Sequence, residues 1–122
     1  PYRRLFRNEE TQTTPMYHHM LDRALQTPYR FLADAIETLN GRGSAEENAF
    51  AQEIGLRLSI NGTGASDAHG PGEVGTCATE FECPVHTLDE LITELKGGRF
   101  RAVSLGQPAP THGKAMPHPP MA

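Results

Sequence analysis

An aspartate and a histidine, Asp67 and His69, stand two residues apart in the stretch GASDAHGPGEVG, residues 64–75. A carboxylate oxygen and an imidazole nitrogen are ligands that suit Zn²⁺, Mn²⁺ and Fe²⁺. Both side chains can point at one ion if the backbone between them is extended or sharply turned, and the surrounding glycines permit tight turns. The pattern equally fits a hydrophilic loop in which Asp67 caps a turn and His69 is solvated.

Other histidines and cysteines form weaker patterns. Cys77, Cys83 and His86 suggest a zinc site, but their spacing matches no two-residue cysteine knuckle. His18 and His19 are adjacent, so on a helix they point about 100° apart, which is typical of surface residues rather than of a ligand pair.

Charged residues elsewhere offer further candidates. Glu37 lies inside a predicted strand, where it could face a polar site or pair with an arginine. Arg3 and Arg4 could bind phosphate, although a solvated arginine cluster is the commoner case. The sequence contains no Walker loop and no dinucleotide-binding fingerprint.

Composition narrows the class of protein. The 122 residues suggest at most one domain, and the net charge of -4 does not favour binding to a nucleic-acid backbone. No run of eighteen apolar residues exists, so we expect no membrane contact, and no signal peptide is visible. Two cysteines are too few for a disulfide scaffold, so a reducing cytoplasmic location is the expectation.

Hydrophobic periodicity and helix caps predict the secondary structure. Ser44 with Glu47 and Thr87 with Glu90 form two capping-box patterns, each of which begins a helix. The predicted elements are a helix at 16–25, a strand at 35–39, a helix at 44–55, a strand at 56–60, a helix at 87–97 and a strand at 100–105.

This alternation predicts parallel βαβ units, in which function lies in loops at the carboxyl ends of strands. The loop with Asp67 and His69 follows the predicted strand at 56–60. Five of the residues from 106 to 122 are proline, and this tail is predicted to be disordered.

Several short motifs lie in order between residues 33 and 103. They are Ile36-Glu37-x-x-Asn40, a helix with Asn48 and Ala51, Gly64-Ala65-Ser66-Asp67-Ala68-His69, Val74-Gly75, Thr79-x-Phe81 and Lys96-Gly97-Gly98-Arg99. Together they resemble the end of a PHP (polymerase and histidinol phosphatase) domain. The first residues, Pro1-Tyr2-Arg3, are similar to a family stretch that follows a metal-binding histidine.

The resemblance implies an α/β fold, the C-terminal part of a distorted (βα)7 barrel, with residues 1–105 as a partial PHP domain and 106–122 as a tail. It implies two or three divalent metals, Mn, Zn or Fe, and hydrolysis of phosphate monoesters or diesters by metal-activated water. Asp67 and His69 match the last pair of metal ligands in the family, which are also catalytic. Arg3 is the candidate for binding the substrate phosphate.

The family's first His-x-His motif and its middle histidine and glutamate ligands do not occur in this sequence. We therefore expect a C-terminal portion of a phosphoesterase that is inactive alone. Its expected partners are the N-terminal part of the barrel and a small phosphorylated substrate such as a nucleotide. Two alternatives stay open. One is a non-catalytic PHP-type structural domain that has lost metal ligands, and the other is a small independent α/β protein in which Asp67 and His69 only cap a turn.

Overall fold

A computed structural model describes residues 14–106, so Arg3 and the predicted tail from residue 107 onward lie outside the described part. Residues 14–106 form three helices and four strands, with short 3-10 turns at Pro28–Phe31 and Pro71–Glu73. The elements are α1 (Thr14–Leu25), β1 (Ile36–Asn40), α2 (Ala45–Leu58), β2 (Gly62–Ala65), β3 (Cys77–Phe81), α3 (Leu88–Gly97) and β4 (Phe100–Ser104).

Both predicted capping boxes are confirmed. The Ser44 hydroxyl accepts a hydrogen bond from the Glu47 backbone N–H at 3.1 Å, and the Glu47 carboxylate accepts one from the Ser44 N–H at 2.9 Å. Thr87 and Glu90 repeat this exchange at the start of α3, with both distances 3.2 Å. Each pair satisfies two backbone donors that a helix leaves without intrahelical partners, which explains why both helices begin where the sequence indicates.

The predicted strand at 56–60 is wrong, because α2 continues through Gly55 to Leu58 and is capped by Ser59 in the left-handed region, φ 53°. Gly55 does not end the helix. It is buried, and a Cβ there would lie 3.1 Å from the Ile60 carbonyl oxygen. The glycine thus permits close packing at the end of the helix rather than a stop. The strand that follows α2 is β2, which begins at Gly62, six residues after the predicted start at residue 56.

The first half of the fold is a βαβ unit, as predicted. β1 and β2 pair in parallel, from Ile36 opposite Gly62 to Asn40 opposite Ala65, with α2 as their connection. Parallel neighbours need such a crossover, because a tight turn can join only antiparallel strands. This unit brings the carboxyl ends of β1 and β2 to the same edge.

The second half departs from the predicted parallel arrangement. β3, for which the sequence predicts no strand, pairs antiparallel with β4, from Cys77 opposite Ser104 to Phe81 opposite Phe100. The architecture of residues 14–106 is therefore mixed α/β with one parallel and one antiparallel strand pair. A seven-stranded barrel is not confirmed by this part of the chain.

Gly64 and Thr79 join the two strand pairs. The Thr79 hydroxyl accepts a hydrogen bond from the Gly64 N–H at 3.1 Å and donates one to the Gly64 carbonyl at 2.9 Å. A Cβ at Gly64 would collide with the Ala78 carbonyl oxygen. Only glycine allows β2 to approach β3 this closely, so Gly64 serves the packing between the two strand pairs.

Gly64→Ala is expected to lower the free energy of unfolding by about 1–3 kcal/mol, the usual effect of overpacking, because the atom in the way belongs to backbone. Urea denaturation measures this change. Gly70→Ala is the matched control, since nothing lies within 4 Å of a Cβ there and φ is -152°. The control should keep or slightly raise stability, because alanine restricts the unfolded chain. Equal losses in both variants would contradict the close approach.

The main apolar core lies between α1 and α2. Phe50, Leu21 and Ile54 are its largest fully buried side chains, and the ring of Tyr17 meets that of Phe50 edge-on at a centroid distance of 5.3 Å. Met20 and Leu21 are the buried members of the helical pattern predicted for α1, a prediction that is thereby confirmed.

The third helix has an exposed apolar side. α3 is confirmed as a helix, and Gly98 ends it in the left-handed region at φ 68°. None of its residues is buried, and Leu88 is 69% exposed and Ile92 41% exposed. Leu91 and Leu95 are half-buried, so the apolar side of α3 is only partly covered within residues 14–106. Within residues 14–106 no helix has both the length and the apolar character that crossing a membrane requires.

Candidate functional site

The carboxyl ends of β1 and β2 place two loops side by side. The Gly41 N–H donates to the Ala65 carbonyl oxygen at 2.9 Å, immediately beyond the last strand pair. A Cβ at Gly41 would lie 2.8 Å from the Ser66 carbonyl oxygen, so the two loops touch through their backbones. The loop that carries Asp67 and His69 therefore begins at the strand end where open parallel sheets bind ligands.

The backbone turns sharply at Asp67, which has φ 51°. Aspartate is one of the few residues other than glycine that visits this region readily. The His69 Nδ1 lies 2.8 Å from the Asp67 carbonyl oxygen. A carbonyl only accepts hydrogen bonds, so Nδ1 carries the proton and the lone pair of the neutral imidazole belongs to Nε2. Both side chains are exposed. The sequence allowed an extended or a sharply turned backbone between them, and the structure has the sharp turn.

Glu73 holds this turn in place. Its Oε2 accepts a hydrogen bond from the His69 backbone N–H at 2.7 Å. Its two carboxylate oxygens also accept from Nη1 of Arg42 at 3.0 and 3.1 Å. Arg42 lies in the loop after β1, so Glu73 connects the two loops. The hydrogen bond from His69, followed by that from Arg42, holds the pKa of Glu73 below its usual range.

The lowered pKa of Glu73 predicts how the turn responds to acid. An unfolded glutamate has a pKa of about 4.3, so the bonds of the Glu73 carboxylate stabilise the turn fully above that pH. This stabilisation is lost only as the pH falls through the lower pKa of the folded state. We expect the His69 backbone amide resonance to show an acid step with a midpoint below about 4.3 in an NMR titration. Glu73→Gln should abolish the step, and its survival in that variant would contradict the contact.

Glu37 and Asn40 complete the arrangement. Nδ2 of Asn40 donates to Oε1 of Glu37 at 2.8 Å and to Oδ2 of Asp67 at 3.4 Å, so one amide group spans a carboxylate on β1 and a carboxylate in the loop after β2. Of the two roles considered for Glu37, facing a polar site is the one observed. The sequence alone does not identify Asn40 as a residue of this site. The position of Asn40 at the end of β1 was the signal that could have placed it near Asp67. Using that signal required the correct location of β2, which the sequence predicted too early.

The other candidates do not join this group. His18 and His19 are exposed on α1, as the sequence indicates. Cys77 is buried in β3 and Cys83 is exposed. Cys77, Cys83 and His86, the set that the sequence raised and disfavoured as a zinc site, are not grouped for metal binding, and neither are any other three histidine, cysteine or acidic side chains in residues 14–106.

The donor set of Asp67 and His69 fits part of a divalent-cation site. A carboxylate and an imidazole with its Nε2 lone pair are suitable ligands, and the Nδ1 bond fixes the ring as carbonyl partners fix the rings of metal-binding histidines. Two side chains form an incomplete ligand set, because catalytic zinc sites commonly use three from the protein.

Comparison of the sequence with known protein families gives a match. Residues 45–100 match the family described as PHP-associated. The match is consistent with the C-terminal portion of a PHP-family protein. The matched segment runs from α2 to the first residue of β4 and contains Asp67, His69 and Glu73. Glu37 and Asn40 precede it. Neither a curated protein nor a solved structure matches the chain.

Proposed function

We propose that this chain is the C-terminal part of a metal-dependent phosphoesterase that hydrolyses phosphate monoesters or diesters. The observation that carries the proposal is the turn at the carboxyl ends of β1 and β2. It exposes Asp67 and His69 two residues apart on one turn, with the His69 ring held through Nδ1 by the Asp67 carbonyl, in a chain whose residues 45–100 match a PHP-associated family. The proposed substrate is a small phosphorylated molecule, a class that includes nucleotides.

In this proposal Asp67 and His69 bind a divalent cation, Mn, Zn or Fe, together with ligands from outside residues 14–106. Such ions supply activated water and neutralise charge that develops on a phosphate. Glu73 keeps the His69 backbone in place through its 2.7 Å bond. Arg3 is proposed to bind a phosphate oxygen, because a guanidinium matches the geometry of phosphate.

The exposed apolar side of α3 is evidence that another protein segment packs against this part of the chain. Leu88 and Ile92 are exposed on an otherwise amphipathic helix, and each strand pair has outer edges that more strands could extend. We propose that the N-terminal part of a PHP barrel packs there and carries the remaining metal ligands.

A non-catalytic PHP-type structural domain is the second candidate. It is favoured by the incomplete ligand set within residues 14–106. The bonds that shape the turn, from His69 Nδ1 to the Asp67 carbonyl and from the His69 N–H to Glu73, also need no metal. In that case the loop is a structural turn.

The deciding experiment is a metal analysis of the natural full-length protein, purified without chelators, combined with hydrolysis of an aryl phosphate before and after chelator treatment. Two or three metals per chain and activity that Mn²⁺ restores would support the phosphoesterase. A stably folded protein with no bound metal and no activity would overturn it and favour the structural domain.

A further inference from the structure

We propose that Asn40 is a positioning residue, whose side-chain amide holds the Asp67 carboxylate in its metal-binding orientation and is itself anchored by Glu37. The inference rests on the proposed function and assigns to Glu37 an anchoring role rather than ligation. It follows from how completely the polar atoms of Asn40 are used.

The orientation of the Asn40 amide is set by its oxygen. The Arg42 backbone N–H donates to Oδ1 of Asn40 at 2.9 Å. A backbone N–H only donates, so the atom facing it is the amide oxygen, and the NH₂ group must face the other way. That group lies 2.8 Å from the Glu37 carboxylate and 3.4 Å from the Asp67 carboxylate. Its two hydrogens therefore serve two acidic side chains.

The backbone of Asn40 is held as firmly as its side chain. Its N–H donates to Oδ1 of Asn48 at 3.0 Å, and Nδ2 of Asn48 donates back to the Asn40 carbonyl at 3.1 Å. Asn48 lies on α2. Its side-chain amide bonds both backbone groups of Asn40, as the backbone of a neighbouring strand would do. The Gly43 N–H adds a third bond, 3.0 Å to the Asn40 carbonyl. These contacts fix the Cα of Asn40 and with it the direction of the amide.

The chemistry of the site needs such a group. Glu37 and Asp67 are both acidic, and like charges at one strand end repel unless a donor lies between them. The shorter bond to Glu37 anchors the amide. The longer bond to Asp67 is weak, so it restricts the rotation of that carboxylate rather than adding much stability. Groups in this position around metal ligands change metal affinity by about 10–100-fold when they are removed.

The first test needs no metal. In ¹H–¹⁵N spectra of the metal-free 122-residue chain, Asp67→Gly is expected to shift the side-chain NH₂ resonances of Asn40, and Glu37→Ala to shift them further. Glycine suits the positive φ at residue 67, so the backbone should keep its course. Asp34→Gly, at an exposed aspartate in the segment before β1, is the control and should leave these resonances in place. Unchanged Asn40 resonances in Asp67→Gly would overturn the proposed contact.

The second test measures Mn²⁺ affinity of the natural full-length protein by calorimetric titration. Asn40→Ala is expected to weaken binding by about 10–100-fold. Asn61→Ala should leave affinity unchanged, because Asn61 bonds the Gly98 carbonyl from the amino end of β2, away from the site. Unchanged affinity in Asn40→Ala would overturn the positioning role.

Glu37→Gln separates anchoring from ligation. Glutamine keeps an oxygen that accepts the Asn40 bond, so an anchor is preserved and the Mn²⁺ affinity should stay at the wild-type level. A fall as large as that in Asn40→Ala would make Glu37 a ligand and overturn its anchoring role. A wild-type protein that binds no Mn²⁺ would refute the proposed function, whereas the spectra of the metal-free chain would still decide whether Asn40 contacts Asp67.

Discussion

Asp67→Asn is expected to reduce the affinity of the natural full-length protein for Mn²⁺ by more than about 100-fold and to abolish metal-dependent hydrolysis. The reason is that the change removes a ligand charge, whereas even the partners of ligands contribute about 10–100-fold. Asparagine tolerates the positive φ at this position, so the backbone should be kept. Calorimetric titration and an aryl phosphate assay measure the two effects.

His69→Ala should produce the same loss, because it removes the imidazole whose Nε2 faces away from the Asp67 carbonyl. Asp34→Asn and His19→Ala are the matched controls, with the same residue types at exposed positions elsewhere in the described chain. The controls should keep wild-type affinity and activity. Full affinity and activity in Asp67→Asn and His69→Ala would remove both residues from the site.

Phe50→Ala is expected to lower the free energy of unfolding by about 3–5 kcal/mol, because it removes a large buried ring and leaves a cavity. Phe50 is 0% exposed and packs between α1 and α2, with Tyr17 edge-on to its ring. Such a loss is a large share of the stability of a small domain, which is about 5–15 kcal/mol. Urea denaturation followed by circular dichroism gives the change.

Leu56→Ala on the same helix is the control. Leu56 is 78% exposed, so its truncation should change stability by less than about 0.5 kcal/mol. The pair also tests where α2 ends. In the strand predicted for 56–60, Leu56 faces a core and its loss would be costly, so a large destabilisation would contradict the helix that continues to Leu58.

Short sequence patterns were sufficient to predict structure that depends on neighbouring residues. The two capping boxes depend on residues three apart, and the sequence located the starts of α2 and α3 from them. The position of the Asp67–His69 loop after a strand was also predictable, although the strand was placed too early. The predicted helix end at Gly55 is wrong because a glycine in the sequence does not distinguish a helix end from a close packing contact.

The sequence by itself determined the helices, the βαβ unit and the pair of candidate ligands, since periodicity, caps and residue chemistry are written in neighbouring positions. Tertiary structure alone decided the antiparallel pairing of β3 with β4 and the inclusion of Glu37, Asn40 and Glu73 in the site. Asn40 and Asp67 are separated by 27 positions in the chain. Their contact depends on the register between β1 and β2, and that register is set by packing across the whole unit rather than by any short stretch of residues.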